Sequence, residues 1–354
     1  MRQIAVGNSL FQKQANSLLI LNILRASPLS RTEIASKLGL QPSTVTYSMG
    51  RLLESGMVKE TGPADISSPV AGRKRSLIQL NGDYGCIGGA QVTDKDFRIV
   101  TSDLYGSILS RKIVSFSEEE AGFDQKISRI VAICTEMAAG KRILGLGISV
   151  PGVVNPEGNA IRECWSLGIW NRSFSELLDS FGFPVRLEND ARLGAKKYQS
   201  EESLAYLLVR CGTDSRISVG IGLVLGGRLY RGDNGRSGEY RSSALMRCGA
   251  LGRTQVRDEA DARSAVMEIL SDVLSLMTTL DIAHLVADFE PDMRTIAEGL
   301  VANELKNALQ SIGVGIRFSD SEWNSAEGGS SMMLAEFFAV PQVGQSIRNK
   351  NCMF

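Results

Sequence analysis

Between Pro28 and Gly56 the chain sets helix-stopping residues so close together that only short helices fit into its first sixty positions. Leu19, Ile20, Ile23 and Leu24 recur at helical spacing over residues 14–26, and Pro28 closes that segment. Ser30 with Glu33 three positions on is a capping box that opens a second helix carrying Ile34, Ala35 and Leu38 on one face. Gly39 ends it. Pro42 suits the first turn of a third helix, in which Val45, Met49, Leu52 and Leu53 form a buried stripe until Gly56 stops it.

Three such helices with a tight turn at residues 39–41 spell a helix-turn-helix, whose last helix offers its polar face to the major groove. That face is Ser43, Thr44, Tyr47 and Arg51, with Thr46 beside it, all able to hydrogen-bond to base edges or phosphates. Residues 57–60 and 76–80 read as two strands around a loop ending in Gly72-Arg73-Lys74-Arg75, a wing whose cationic tip suits phosphate or minor-groove contact. The same segment also reads as a plain packing or dimerisation module with its cations on a solvated turn. Charge favours the first reading. Residues 1–80 carry ten Lys/Arg against four Asp/Glu, a net +6, and since the chain totals 39 of each, the remainder carries −6.

At 354 residues the chain is too long for one ordinary core, so a small unit at residues 1–81 and a larger body at 82–354, joined by a hinge at Asn81-Gly82-Asp83, are expected. The body alternates strand-like runs (86–92, 97–102, 143–150, 204–210, 217–225) with helical ones (123–139, 261–285, 295–311, 330–338), the pattern of an α/β fold. Six scattered cysteines show neither metal-ligand spacing nor a disulfide framework. With no apolar run of roughly 20 residues and no signal architecture at the start, the expectation is a cytoplasmic protein that does not enter a membrane.

Five stretches, PLSRTEIASKLGLQPSTVTYSMGRLLESGMV, AGRKRSLIQLN, LGLGISVPGVVNPEGNAI, PVRLENDARLGA and GGRLYRGDNGRSGEY, follow one another in an order that resembles the ROK family of repressors, open reading frames and kinases. The resemblance implies a winged helix-turn-helix followed by a two-lobed, actin-like (ribonuclease H-like) sugar-kinase fold. It also implies where kinase chemistry would sit. The Asp of the family's phosphate loop falls at Gln91 and its Gly-Gly-Thr at Thr93-Asp94-Lys95. The second glycine-rich loop falls at Arg216-Ile217-Ser218, and the glycines that would flank adenosine fall within residues 285–290, where there are none. Without a cradle to position ATP, phosphoryl transfer loses the positioning and charge stabilisation that supply nearly all its catalysis. No catalytic residue and no cofactor are therefore expected.

The family's zinc motif is likewise reduced, with Met246, Arg253 and Ser242 at ligand positions and Cys248 alone surviving, too few donors for a structural zinc. The sole histidine, His284, falls on an apparent apolar helix. By resemblance, Asn189 and Asp190 within Glu188-Asn189-Asp190-Ala191, together with Glu239, would contact sugar hydroxyls; Ser242, Gln255 and Ser166 depart from the family pattern around them. Asn189 and Asp190 read equally well as the cap of a helix beginning at Ala191, and Glu239 as a loop carboxylate among Arg231, Arg236 and Arg241. The expected function is a transcriptional regulator, a repressor of sugar uptake or catabolism genes, whose partners are a double-stranded operator, a sugar effector and further copies of the chain in a homodimer or homotetramer. The alternatives are a DNA-binding protein whose body only oligomerises and a sugar kinase.

Overall fold

The structure is a computed structural model and describes residues 9–63, 76–93, 95–116, 122–199, 202–211, 217–240 and 256–341. The first unit comprises α1 (Ser9–Leu24), α2 (Arg31–Leu38), α3 (Pro42–Glu54) and the antiparallel pair β1 (Val58–Pro63) and β2 (Ser76–Leu80). Its punctuation works as the residues dictate. Ser30 and Glu33 close the capping box in both directions, and Gly39 ends α2 at φ 63°, a conformation glycine adopts without steric cost.

Two five-stranded sheets form the body. In the first lobe β3 (Cys86–Val92), β4 (Asp96–Ser102), β5 (Ile108–Ser115), β6 (Ile143–Val150) and β10 (Val185–Asn189) run in the order β10-β6-β3-β4-β5, with α4 (Phe123–Met137) on one face. A small flap of β7 (Val153–Val154), β8 (Ala160–Cys164) and β9 (Ile169–Ser173) and the short α5 (Ser175–Ser180) complete it. The second lobe orders β11 (Leu204–Cys211), β12 (Ile217–Leu225), β13 (Arg228–Tyr230), β14 (His284–Phe289) and β15 (Gly315–Phe318) as β13-β12-β11-β14-β15. It is covered by α7 (Glu259–Leu280), α8 (Pro291–Leu300) and α9 (Lys306–Ile312), the last two joined through a π turn at Val301–Leu305.

Between the lobes lie α6 (Asp190–Lys197) and α10 (Asn324–Phe337). Small residues let α10 come this close: a Cβ at Gly328 would stand 1.8 Å from the Leu193 carbonyl oxygen, and one at Gly89 would stand 2.0 Å from that of Ala326. The far end of α10 reaches the N-terminal unit. Leu18, Leu21 and Leu24 share one apolar core with Leu104, Met332, Leu334 and Phe338, and Asn22 Nδ2 donates to the Phe338 carbonyl at 2.8 Å. The N-terminal unit is thus built onto the body rather than strung from it.

Two expectations change. The helix expected over 261–285 stops at Leu280, because Asp281 turns left-handed at φ 55°, and the apolar run that follows is strand β14. His284 therefore opens a strand instead of lying on a helix; its side chain is exposed, with Nε2 3.1 Å from Glu202 Oε2. The last helix begins at Asn324, six positions before the expected 330, since Ser325, Gly328 and Gly329 carry little apolar signal yet fill the tightest part of the interface.

Candidate nucleic-acid interface and interlobe site

Helix α3 buries Val45, Met49 and Leu52 and turns the opposite face outward. On that face Ser43, Thr46 and Tyr47 are exposed, Tyr47 at 53%, while Thr44 and Arg51 are half-buried at its margins. Thr46 Oγ1 bonds back to the Pro42 carbonyl at 2.9 Å, which fixes its rotamer. Two neighbours escaped the sequence reading. Lys13 Nζ lies 5.3 Å from the Tyr47 ring centroid, adding a cation to the face. Gly50 follows Tyr47 and Ser43 at helical spacing with nothing within 4 Å of its absent Cβ, so bare backbone is presented there. Arg73, Lys74 and Arg75 of the wing lie outside the described residues.

At the interlobe junction, β10 delivers Glu188 and Asn189 directly into α6. Asn189 is the helix cap: its Oδ1 accepts from the Arg192 amide at 3.0 Å, and its Nδ2 donates to the Gly152 carbonyl at 3.1 Å. Both ends of the amide are thus engaged within the chain. Asp190 opens the helix with Oδ1 accepting from the Ala191 amide at 2.8 Å and keeps part of its surface open. Burial raises its pKa to about 6, against the opposing pull of that amide and of Arg210 and Arg192. Glu239 stands across from it, bridged in antiparallel fashion to Gly220, whose absent Cβ would lie 3.9 Å from Asp190 Oδ1. Loss of hydration and the charge of Asp190 push the Glu239 pKa up as well. A carboxylate pair that resists joint ionisation is a ready acceptor and donor for hydroxyl groups.

Glu188 does other work. Its two oxygens are bound at 2.7 Å each by Arg192 Nε and Arg231 Nε, a buried clamp linking the lobes. Around the same junction, Cys164 Sγ donates to the Pro151 carbonyl at 2.9 Å beside Ser166. Glu163 holds Arg236 at 2.9 Å and the Trp165 indole nitrogen at 2.9 Å. Trp165 and Trp170 stack edge to face at 4.4 Å and remain half exposed. The sequence text Glu163-Cys164-Trp165-Ser166 carried no motif that would have singled out this rim.

At two of the positions expected for kinase loops, this chain's own side chains bond to one another. Thr93 Oγ1 accepts from the Lys95 and Asp96 amides at 3.1 and 2.9 Å and donates to Asp96 Oδ1, so the turn between β3 and β4 is tied to itself. Asp288, in the stretch where flanking glycines were expected, accepts from Tyr206 Oη, from Asn324 Nδ2 at 2.8 Å and from Arg210 Nη1 at 2.9 Å. That cluster joins β11, β14 and α10 in the middle of the interlobe space. Burial and the Asp288 charge hold the Tyr206 phenol well above its ordinary range. Asp94, Arg216, Ser242, Met246, Cys248, Arg253 and Gln255 lie outside the described residues.

Comparison with known proteins gives two domain matches. A ROK family model matches residues 88–244, and a winged helix-turn-helix DNA-binding model matches residues 14–59. The chain carries a ROK-family domain behind a winged helix-turn-helix. Its relatives include the xylose repressor of Caldicellulosiruptor bescii, 28% identical over 268 residues and covering 70% of this chain. The match spans 64% of that repressor's length. The xylose repressor of Bacillus subtilis is 26% identical over 296 residues, covering 79% of this chain and 75% of that protein. Among solved structures, a ROK family transcriptional regulator described as a homologue of the Escherichia coli MLC protein superposes with a TM-score of 0.71 at 15% identity, covering 93% of this chain and 97% of its own. That likeness shows that this chain shares the fold of that structure.

Proposed function

We propose that this ROK protein is a DNA-binding repressor of sugar uptake or catabolism genes, and that it has no kinase activity. The observation that carries the reading is the outward polar face of α3, on a unit whose core is continuous with α10. Ser43, Thr44, Thr46, Tyr47 and Arg51 read an operator in the major groove, and Arg73, Lys74 and Arg75 grip its phosphates. Residues 1–81 serve as the reading unit and 82–354 as the sensing body, working as a homodimer or homotetramer in the cytoplasm.

The sensing site is the acceptor pair Asp190 and Glu239, with Asn189 setting the helix that presents Asp190. A neutral sugar bridging these carboxyls, one at the start of the interlobe helix α6 and one beside β12 of the second lobe, favours one lobe angle over another. Because α10 is bonded to the second lobe through Asn324 and to the reading unit through Phe338, a change in lobe angle reaches the winged helix along one rigid element. The repressor names of the relatives support this reading, and the self-bonded turn at Thr93 and Asp96 together with the Asp288 cluster supports the absence of phosphoryl transfer.

The test is enrichment from a random duplex pool on the purified protein, followed by titration of the enriched sequence with xylose, glucose and N-acetylglucosamine. The reading requires a two-fold symmetric sequence and at least one sugar that shifts its affinity in the native chain but not in Asp190→Ala. No sequence enrichment, or turnover of ATP with any of these sugars, overturns it.

A further inference from the structure

A hollow of about 530 Å³ lies where the N-terminal unit, both central helices and the second lobe meet. Three elements bring cations to it: Arg25 follows α1, Lys196 and Lys197 end α6, and Arg228 opens β13. Ser331 contributes a hydroxyl, and no carboxylate is among its described lining residues. Cations at the end of α6 suit its dipole, and Lys197 is satisfied by Glu327 at 2.7 Å and Asn324 at 2.8 Å. The other cations are not so accounted for. Lys196 Nζ donates to a neutral partner, Gln199 Oε1, at 2.7 Å, and burial together with the Arg231 charge lowers its pKa. The one carboxylate that steadies it, Glu336, also faces Arg186 and Arg231. Arg25 is held with its guanidinium 4.7 Å from the Phe338 ring, and its buried Nε has no hydrogen-bond partner among the described residues.

We infer that this hollow binds a small phosphate-bearing anion, with Arg25, Lys196, Arg228 and Ser331 as its donors. A phosphate offers acceptors enough for all of them, and charge-assisted bonds from Arg and Lys are the strong kind. The volume exceeds that of phosphate alone and leaves room for a sugar-sized remainder. Such an anion ties the β12–β13 turn of the second lobe, at Gly226-Gly227-Arg228, to Arg25 of the reading unit. It is a second input, apart from the Asp190 site at the opposite end of α6.

The experiment is a thermal-shift and calorimetric titration of the full chain with inorganic phosphate, glucose 6-phosphate and glucose, at ionic strength matched with sodium chloride. Saturable binding of either phosphate compound, with glucose unable to reproduce it, is expected; the two compounds' relative affinities tell whether a free or an esterified phosphate is the ligand. Arg228→Gln, a substitution of an exposed side chain, weakens that binding about tenfold or more, as does Lys196→Gln. Asp190→Ala leaves it intact, which separates this site from the sugar-sensing reading. Binding by neither compound, binding that survives Arg228→Gln and Lys196→Gln, or loss of binding in Asp190→Ala overturns the inference.

Discussion

Asn324 Nδ2, at the first turn of α10, donates a 2.8 Å hydrogen bond to Asp288 Oδ2 near the end of β14, tying the helix that carries the winged unit to the second lobe. Asp288 also accepts from Tyr206 and Arg210. Asp288→Ala strands all three donors, one of them charged, and is expected to cost about 3 kcal/mol. Asp288→Asn, which keeps the shape and one acceptor oxygen, costs less. Urea denaturation followed by tryptophan fluorescence measures both, and an Ala variant as stable as the native chain would remove this cluster from the list of what holds the lobes together.

The two sets of residues proposed to contact DNA should behave differently. Tyr47→Ala and Arg51→Ala are expected to weaken binding to the enriched sequence by about 1–3 kcal/mol each while changing random-duplex binding little. Replacing Arg73, Lys74 and Arg75 by Gln should weaken both and flatten the salt dependence, because fewer counterions are released. Fluorescence anisotropy across a salt series checks this, and equal losses from both sets on both duplexes would refute the division.

Gly50 tests the exposed backbone of α3. A mid-helix glycine costs roughly 0.5–1 kcal/mol relative to alanine, and no atom obstructs a Cβ there, so Gly50→Ala should raise thermal stability by that amount. If the bare backbone serves close approach to DNA, the same variant loses operator affinity although it is the better folded protein.

Asp190 gives the fold a pH dependence of known sign. Its pKa is raised to about 6 in the folded chain, whereas an unfolded Asp titrates near ~4. The folded state therefore holds this proton more tightly, so its stabilising contribution is complete below about pH 4 and is lost as pH rises through about 6. Asp190→Asn removes the dependence. Between pH 4 and pH 7 the native chain should lose about 1–2 kcal/mol relative to this variant, a figure reduced for the part of Asp190 that water reaches. Arg210 and Arg192 favour the charged form and Glu239 opposes it, so parallel stability curves for the two proteins would mean that the arginines prevail.

The winged helix was legible because its signals are local. The capping box at Ser30 and Glu33, the left-handed stop at Gly39 and the Pro42 start each act within one turn of chain, and each stands where the spacing places it. Strands β2, β3, β6 and β12 also begin and end where their apolar runs do. The end of α7 was not legible, since Asp281 is no strong stop and the strand after it is as apolar as the helix before it.

By itself, then, the sequence determined the winged-helix unit and the α/β body, since these depend on short-range periodicity and capping, while the positions expected for kinase loops came from the family resemblance alone. Only the tertiary structure decided that Asn189 spends its amide on Arg192 and Gly152, that Asp288 gathers Tyr206, Arg210 and Asn324, and that Arg25, Lys196 and Arg228 line one hollow. Apart from the local cap from Asn189 to Arg192, those partners lie tens to hundreds of positions apart along the chain, and no local propensity encodes which side chains two packed lobes will press together.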